Sequence, residues 1–422
     1  MIHPEPQFDI PPSAQPASPN LADASPEFGA ILERALDGRE ISEAEGLALF
    51  GAEGRDLDAL TATADVIRHR HSGPNVSFVV TRNINFTNVC YMGCRFCGFA
   101  KHREDDGAEL LSLEEVAARA RQAEDRGATE VCIQGGLHPD IPGDHYRNIV
   151  RAIKAEVPDI HIHAFSPFEI WYGHKKRRMS VEAFLEDLKA QGLGTIPGTA
   201  AEILDTEVRK RLTRNKLSAE QWLSIVKAAH RVGLRSTATI MYGHVDAPRH
   251  WAAHIALLRE IQKETGGFTE FVPLGFVHYD SPLYRSESDV RPGPTRDDNL
   301  RMHAVARIML AGWIDNIQAS WPKLGPQGAQ QLLHAGANDM GGTLMNESIT
   351  RAAGGRFGQE MTPREMARLI RAAGRIPVQR DTGYNTLTVY DTHDPADTPP
   401  LVSRTTTQSP IRFLDQFTEP AR

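Results

Sequence analysis

Three cysteines fall within eight residues, Cys90-Tyr91-Met92-Gly93-Cys94-Arg95-Phe96-Cys97, in the spacing C-x3-C-x2-C. Thiolates are soft ligands that select zinc, copper(I) or iron–sulfur clusters. Three of them can hold three irons of a 4Fe–4S cube and leave the fourth iron without a protein ligand. An open coordination position lets a metal centre bind and activate a small molecule, whereas a closed four-ligand site is structural. The competing reading is a zinc knot, which needs a fourth ligand; His102 is the obvious candidate. The fourth thiol, Cys132, lies inside Val131-Cys132-Ile133 and reads as a buried small residue.

Further along, polar residues cluster where apolar runs end. Gln134-Gly135-Gly136 closes one run, and two glycines let a backbone approach a ligand closely. In His161-Ile162-His163-Ala164-Phe165-Ser166-Pro167, alternation puts His161, His163 and Phe165 on one face. His163, Ser166 and Glu169 are candidates to touch substrate, with a satisfied core histidine as the alternative for His163. Glu202 and Arg209 are seven apart and would share a helix face; a solvated surface is their alternative. Tyr242-Gly243-His244 suits hydrogen bonding to a polar substrate, or is an ordinary turn. The run Lys175-Lys176-Arg177-Arg178 reads as a solvated loop or helix start.

These positions require a scaffold that gathers strand ends. Strand-like runs are expected at 77–86, 130–134, 161–165, 193–196, 236–241, 270–275, 316–320 and 338–343. Helical segments separate them: one opened by the box Ser112-x-x-Glu115, then 146–157, 180–191, 201–212, one capped by Ser218-x-x-Gln221, then 251–265, 297–310 and 327–335. Eight strands alternating with helices predict an α/β protein, a (β/α)8 TIM-type barrel, with a doubly wound open sheet as the alternative. In such a barrel chemistry sits at the C-terminal strand ends, where the cysteine run falls. The expected layout is a disordered leader at 1–26 and a helical N-terminal extension at 27–76. The barrel follows at 77–345, a C-terminal helical cap at 346–392 and a polar tail at 393–422.

Composition narrows the field. The chain has 422 residues, 41% hydrophobic and 24% charged, with a net charge of −7. A mildly acidic chain has no global electrostatic reason to bind nucleic acid or an anionic membrane. No apolar run reaches the ~18 residues needed to span a bilayer, and 1–25 lacks the basic start and apolar core of a secretory signal. Four cysteines, three of them crowded together, suggest metal ligation in a reducing, cytoplasmic setting rather than a disulfide scaffold.

The cysteine spacing after the first barrel strand, with Phe96 before the last cysteine, resembles the radical S-adenosylmethionine superfamily. The resemblance implies a barrel of the radical SAM type and a 4Fe–4S cluster on Cys90, Cys94 and Cys97. S-adenosyl-L-methionine would chelate the open iron and be cleaved by one electron to a 5′-deoxyadenosyl radical. It implies cofactor contacts from Phe96, Gln134, Gly135, Gly136, Glu202 and Arg209. Within the superfamily, the stretches 83–90, 134–139, 163–167, 196–204, 239–244, 335–345 and 374–382 resemble the tyrosine-using subunits of deazaflavin (FO) synthases. The related futalosine enzymes of menaquinone synthesis usually carry Pro-Gly-Gly-Gly-Ala-Glu where this chain has Pro197-Gly198-Thr199-Ala200-Ala201-Glu202. One cysteine triad in this length also predicts a single unit rather than a fused pair with two clusters.

The resemblance implies that the radical takes hydrogen from the amino group of L-tyrosine. The Cα–Cβ bond then breaks to 2-iminoacetate and a 4-hydroxybenzyl radical, which adds to 5-amino-6-(D-ribitylamino)uracil. It implies a reducing electron donor and a CofG-like FO synthase subunit 1 that closes the ring. His163, Glu169, Tyr242 and His244 are the residues expected to serve the substrates. A non-catalytic iron–sulfur or zinc protein is the alternative of another class.

Overall fold

The computed structural model describes residues 16–401 except Arg214. The leader and tail expectations therefore fall largely outside the described residues. The described chain starts with three helices, α1 (Pro26–Leu36), α2 (Glu43–Leu49) and α3 (Gly54–Ser72). Proline stands at the start of α1, and Ser42 with Glu45 forms a reciprocal capping box on α2. Leu32, Leu49 and Leu60 bury their side chains completely, so these helices cover one flank of the molecule.

Two short strands follow, β1 (Asn75–Val79) and β2 (Thr81–Asn85), where one strand over 77–86 was expected. The break at Val80 lets one stretch of chain serve two neighbours. Its first half pairs in parallel with β8 (Asp339–Gly342) and its second with β3 (Glu130–Gln134). From β3 the parallel order runs through β4 (His161–Ala164), β5 (Thr195–Ile196) and β6 (Arg235–Tyr242) to β7 (Phe268–Gly275). The strand expected at 316–320 is reduced to two bridges, Ile317 to Phe271 of β7 and Gln318 to Asp339 of β8. Those bridges, with the Asn83 amide donating to the Leu344 carbonyl at 3.0 Å, carry the hydrogen bonding around to the start. The sheet closes as a (β/α)8 barrel, and the open doubly wound alternative is excluded.

The helices around the barrel are α4 (Leu113–Glu124), α5 (His145–Glu156), α6 (Pro167–Arg177), α7 (Val181–Ala190), α8 (Thr206–Leu212), α9 (Ala219–Arg231), α10 (Pro248–Thr265), α11 (Pro282–Ser286), α12 (Arg296–Leu310) and α13 (Trp321–Leu332). Four depart from expectation: α11 was not anticipated, α13 starts at Trp321 rather than 327, and α6 and α8 differ more consequentially. Helix α6 was not anticipated; Ser166 and Glu169 form its capping box with Pro167 at its first position, and the basic run 175–178 is its last turn. Helix α8 starts only after the N-cap Asp205, so 201–204 is loop and Glu202 and Arg209 do not share a helix face.

Beyond β8 come α14 (Ile349–Ala352), α15 (Pro363–Ala372), β9 (Ile376–Arg380) and β10 (Thr386–Val389). Strand β9 adds in parallel to the outer side of β1. Its last residue, Arg380, and the turn after it, with Thr382 and Tyr384, reach the N-terminal ends of the barrel strands. There Arg380 binds Asp339 with two hydrogen bonds, 2.6 and 3.1 Å. Thr382 donates to Glu130 at 2.6 Å, and the Tyr384 hydroxyl donates to Glu270. This buried ionic layer floors the barrel and leaves the opposite mouth for chemistry. No described helix is long and apolar enough to cross a membrane.

Candidate radical active site at the barrel mouth

Strand β2 runs directly into the cysteine loop. The loop is fixed by its backbone: the Cys90 amide donates to the Lys101 carbonyl (3.0 Å) and the Arg95 amide to Leu212 at the end of α8 (2.9 Å). The Arg95 carbonyl in turn accepts from the Leu283 amide of α11 at 2.7 Å. Gly98 lies so close to α14 that an added Cβ would stand 2.7 Å from the Ala352 carbonyl oxygen. The loop is thus clamped between α8, α11 and α14.

Inside the loop lies a cavity of about 280 Å³, and Cys90, Cys94 and Cys97 all line it. Burial pushes the Cys94 and Cys97 thiols above the usual range; Lys216 works against this at Cys94, and the Phe99 and Ala100 amides at Cys97. Ligation by a metal displaces such protons. Among the described residues, no three His, Cys, Asp or Glu groups are placed to hold a single metal ion. A cube gives each thiolate its own iron, so three thiols that line one cavity without converging on a point suit it better than they suit mononuclear zinc. His102, the fourth ligand a zinc knot would need, is exposed and borders a second hollow, of which Cys90 is the one cysteine that lines it; Cys94 and Cys97 do not. Cys132, expected to be buried, is half-buried on β3, and desolvation raises its thiol pKa beyond reach of ordinary pH.

Gln134, Gly135 and Gly136 follow β3 into the same cavity. The glycines are needed for packing as much as for a ligand. A Cβ on Gly135 would meet the Phe86 ring at 2.5 Å, and one on Gly136 would stand 2.2 Å from the Val89 carbonyl oxygen. The Gly135 amide donates to Glu169 at 2.9 Å. The other carboxylate oxygen of Glu169 accepts from the Ser166 amide (2.8 Å) and hydroxyl (2.6 Å). Burial raises the Glu169 pKa to about 7, against these hydrogen bonds, which favour the anion. Glu169 lines the cavity, yet both its oxygens are engaged in joining α6 to the glycine turn.

Glu202 also lines the cavity. One oxygen pairs with the Lys216 ammonium, and the other is buried without a hydrogen-bond partner. Lys216 in turn lies 5.0 Å over the Phe96 ring and 5.8 Å over Phe168. Burial opposes its charge, but Glu202 and Cys94 hold its pKa above the usual lysine value. Arg209 does not reach the cavity. Its guanidinium donates to the carbonyls of Ala200, Ala201, Ile203 and Leu217. It holds the loop in which Ala200 (φ 66°) and Glu202 (φ 40°) take left-handed conformations that side chains resist. Arg209 therefore positions Glu202.

Three expected substrate residues lie elsewhere. His163 faces the barrel floor, pairs with Thr195 at 2.7 Å, and burial lowers its pKa to about 4. Tyr242 points outward; its hydroxyl donates to Asn299 of α12 at 2.5 Å. Thr239 and Met241, of opposite parity on β6, line the cavity instead. His244 is fully buried, and its ring nitrogens meet the Met241 carbonyl (2.9 Å) and the Val245 amide (2.7 Å). The segment 243–246 is the ordinary turn kept as an alternative, organised by Asp246, which accepts from the Gly243 and His244 amides.

Sequence reasoning missed Lys216 and Lys323, both of which line the cavity. Nothing local marks Lys216. Lys323 follows directly on the seventh strand position, so the strand-end rule would have found it.

Three thiols, an orphaned Glu202 oxygen and the Phe96–Lys216 pair lining one cavity fit a cluster with an adjoining charged organic ligand. Comparisons agree. A radical SAM superfamily profile matches residues 84–258, and a profile of the CofH/MqnC C-terminal region matches 265–393. The chain is 53% identical over 370 residues to an FO synthase of Mycobacterium leprae, covering 86% of this chain and 43% of that one. It is 51% identical over 355 residues to an FO synthase of Streptomyces avermitilis, covering 84% and 41%. It thus spans less than half the length of those relatives. It is 47% identical over 354 residues to the 5-amino-6-(D-ribitylamino)uracil–L-tyrosine 4-hydroxyphenyl transferase of Methanothermobacter thermautotrophicus, covering 84% and 96%. Among solved structures, methylornithine synthase (PylB) aligns with TM-score 0.65 at 18% identity, covering 82% of this chain and 97% of that one. The hydrogenase maturase HydG aligns with TM-score 0.66 at 16% identity, covering 85% and 77%. These two share the fold.

Proposed function

For a chain that belongs to the radical SAM superfamily and, within it, to the family of 5-amino-6-(D-ribitylamino)uracil–L-tyrosine 4-hydroxyphenyl transferases, we propose that it performs that transfer. The 4-hydroxybenzyl group of L-tyrosine would pass to the ribitylaminouracil, with release of 2-iminoacetate, methionine and 5′-deoxyadenosine. The observation that carries the reading is the meeting of Cys90, Cys94 and Cys97 with Gln134, Glu202 and Lys216 in one cavity at the mouth of a closed barrel. The names of the relatives support the deazaflavin reaction over the futalosine one.

A 4Fe–4S cluster and S-adenosylmethionine, when bound, supply the one-electron chemistry that generates a primary carbon radical. The three thiolates would hold the cluster. Gly135 and Gly136 keep the turn beside it close, and Glu169 locks that turn from behind. The free Glu202 oxygen is an acceptor for an ammonium or hydroxyl of the cofactor, and Phe96 offers a ring face at the same wall. Leu137, Phe168, Met241, Leu274 and Phe276 give the cavity an apolar lining. Such a lining excludes water and holds substrates close together, which a reactive radical requires. The roles of CofG-like partner and electron donor follow from the same reading.

The test is an anaerobic incubation of reconstituted, reduced protein with S-adenosylmethionine, L-tyrosine and the diaminouracil, read by mass spectrometry. The hydroxybenzyl–uracil adduct and 5′-deoxyadenosine in equal amounts are expected. An intact cluster that yields no adduct, or one that responds to a futalosine-type compound and not to tyrosine, overturns the proposal.

A further inference from the structure

The cavity carries two lysines, and their surroundings differ. Lys216 is matched by Glu202 and covered by the Phe96 and Phe168 rings. Lys323, at the start of α13, has no carboxylate within ion-pair distance among the described residues. Its ammonium donates to the Thr350 hydroxyl at 2.8 Å. Glu347 lies near enough to favour the charge, but burial outweighs it and lowers the Lys323 pKa. One Glu347 oxygen accepts from the Thr350 amide at 2.8 Å. The local arrangement is thus an ammonium facing the cavity, held by a hydroxyl, with the Glu347 carboxylate and the Cys97 thiol favouring its charge from beyond ion-pair distance.

A buried cation without a direct ion-pair partner is costly, and such a group is suited to a ligand that supplies one. We propose that Lys323 receives the α-carboxylate of the amino-acid substrate. This rests on the reading of L-tyrosine as substrate. Two carboxylates enter the site under that reading, one on tyrosine and one on S-adenosylmethionine. The placement favours tyrosine. Glu202, Lys216, Gln134 and the glycine turn occupy the ends of the second and fourth strands. Lys323 comes after the seventh strand position, beside Ile349 and Ala353 at α14, against which the cysteine loop also packs at Gly98. An α-carboxylate anchored there leaves the amino group and the Cα–Cβ bond directed into the cavity. The apolar lining at Leu274, Phe276 and Met241 then remains for the phenol ring.

The test uses reconstituted holoenzyme and two variants, Lys323→Met and Lys323→Arg, with cluster content measured in each. The wild-type protein is first shown to convert L-tyrosine, so that failure of the substrate reading is seen separately. Each protein is then assayed with L-tyrosine and with tyramine, which lacks only the carboxylate. The wild type should favour tyrosine over tyramine in 5′-deoxyadenosine formation by at least about tenfold, as a lost charged hydrogen bond implies. Lys323→Met should raise the KM for tyrosine by a similar factor and abolish the preference, and Lys323→Arg should restore much of it. S-adenosylmethionine binding and its slow cleavage without substrate are measured in both variants. A tyrosine-to-tyramine preference that survives in Lys323→Met overturns the proposal. So does a loss confined to S-adenosylmethionine binding, which would assign Lys323 to the other carboxylate, or to substrate-free cleavage, which would assign it to the cluster.

Discussion

Substituting Gly136 by alanine isolates the coupling between the glycine turn and the cysteine loop. The added Cβ would stand 2.2 Å from the Val89 carbonyl oxygen and 2.9 Å from the Cys90 Cβ. A carbon–oxygen contact of this type normally sits near 3.3 Å, so the backbone beside the first ligand must shift by about 1 Å. Backbone cannot swing aside as a flexible side chain can, and overpacking of this kind costs about 1–3 kcal/mol. A displacement of ~1 Å near reacting groups lowers turnover by about 100-fold, or ~2.7 kcal/mol of barrier. Gly93→Ala is the control. Gly93 has φ 64°, but its Cβ would meet nothing within 4 Å. It should cost only the ~1–2 kcal/mol of a left-handed conformation inside the loop. Iron per chain after anaerobic reconstitution, a thermal melt, and the rate of 5′-deoxyadenosine formation are measured for both. Gly136→Ala should fold, load iron poorly and turn over about 100-fold more slowly, and Gly93→Ala should stay within roughly tenfold of wild type. Full iron loading and wild-type turnover in Gly136→Ala would refute the claim that this turn sets the first ligand's position.

Other outcomes follow from the same geometry. Glu202→Leu should destabilise the cofactor-free protein by about 3–5 kcal/mol in denaturant because Lys216 is left buried and unpaired; adding Lys216→Met should recover most of it. Arg380→Met strips Asp339 and Glu270 of their cation in the barrel floor and should cost a similar ~3–5 kcal/mol without changing the iron bound per folded chain. Glu169 has a folded pKa of about 7 against an ordinary value of 4.5, so the native state holds its proton longer. Stability from this group is present at low pH and is lost as pH rises through 7. Between pH 5 and 8 the wild type should lose about 3 kcal/mol more than Glu169→Gln, read from unfolding midpoints.

The cysteine loop and the strand–helix rhythm were legible because both are short-range signals: a fixed thiol spacing, and apolar periods bounded by caps and glycines. Helix α6 carried such a signal too, Ser166-Pro167 followed by Glu169, but the strand before it drew the same residues into a substrate reading. Parity on β6 was harder. Nearly every residue from Ser236 to Tyr242 is buried, so no polar alternation shows that Met241 faces the cavity and Tyr242 faces α12. Strand β9 contains Pro377, which argues against a paired strand, and its pairing with β1 spans some 300 residues of sequence. The Glu202–Lys216 pair was invisible for a similar reason. It depends on a loop whose left-handed residues are held by Arg209, and periodicity does not describe such a loop. The sequence placed Arg209 beside the cofactor; the structure makes it the residue that shapes the Glu202 loop.

The claim on which everything else stands is that Cys90, Cys94 and Cys97 hold a cluster with one iron open to an outside ligand. Electron paramagnetic resonance of the reduced, reconstituted protein, recorded with and without S-adenosylmethionine, addresses it directly. The expected result is a 4Fe–4S signal that changes on addition of S-adenosylmethionine, is lost in Cys94→Ala, and persists in Cys132→Ala. A cluster signal indifferent to S-adenosylmethionine, or one dependent on a fourth side chain of the protein, would contradict it.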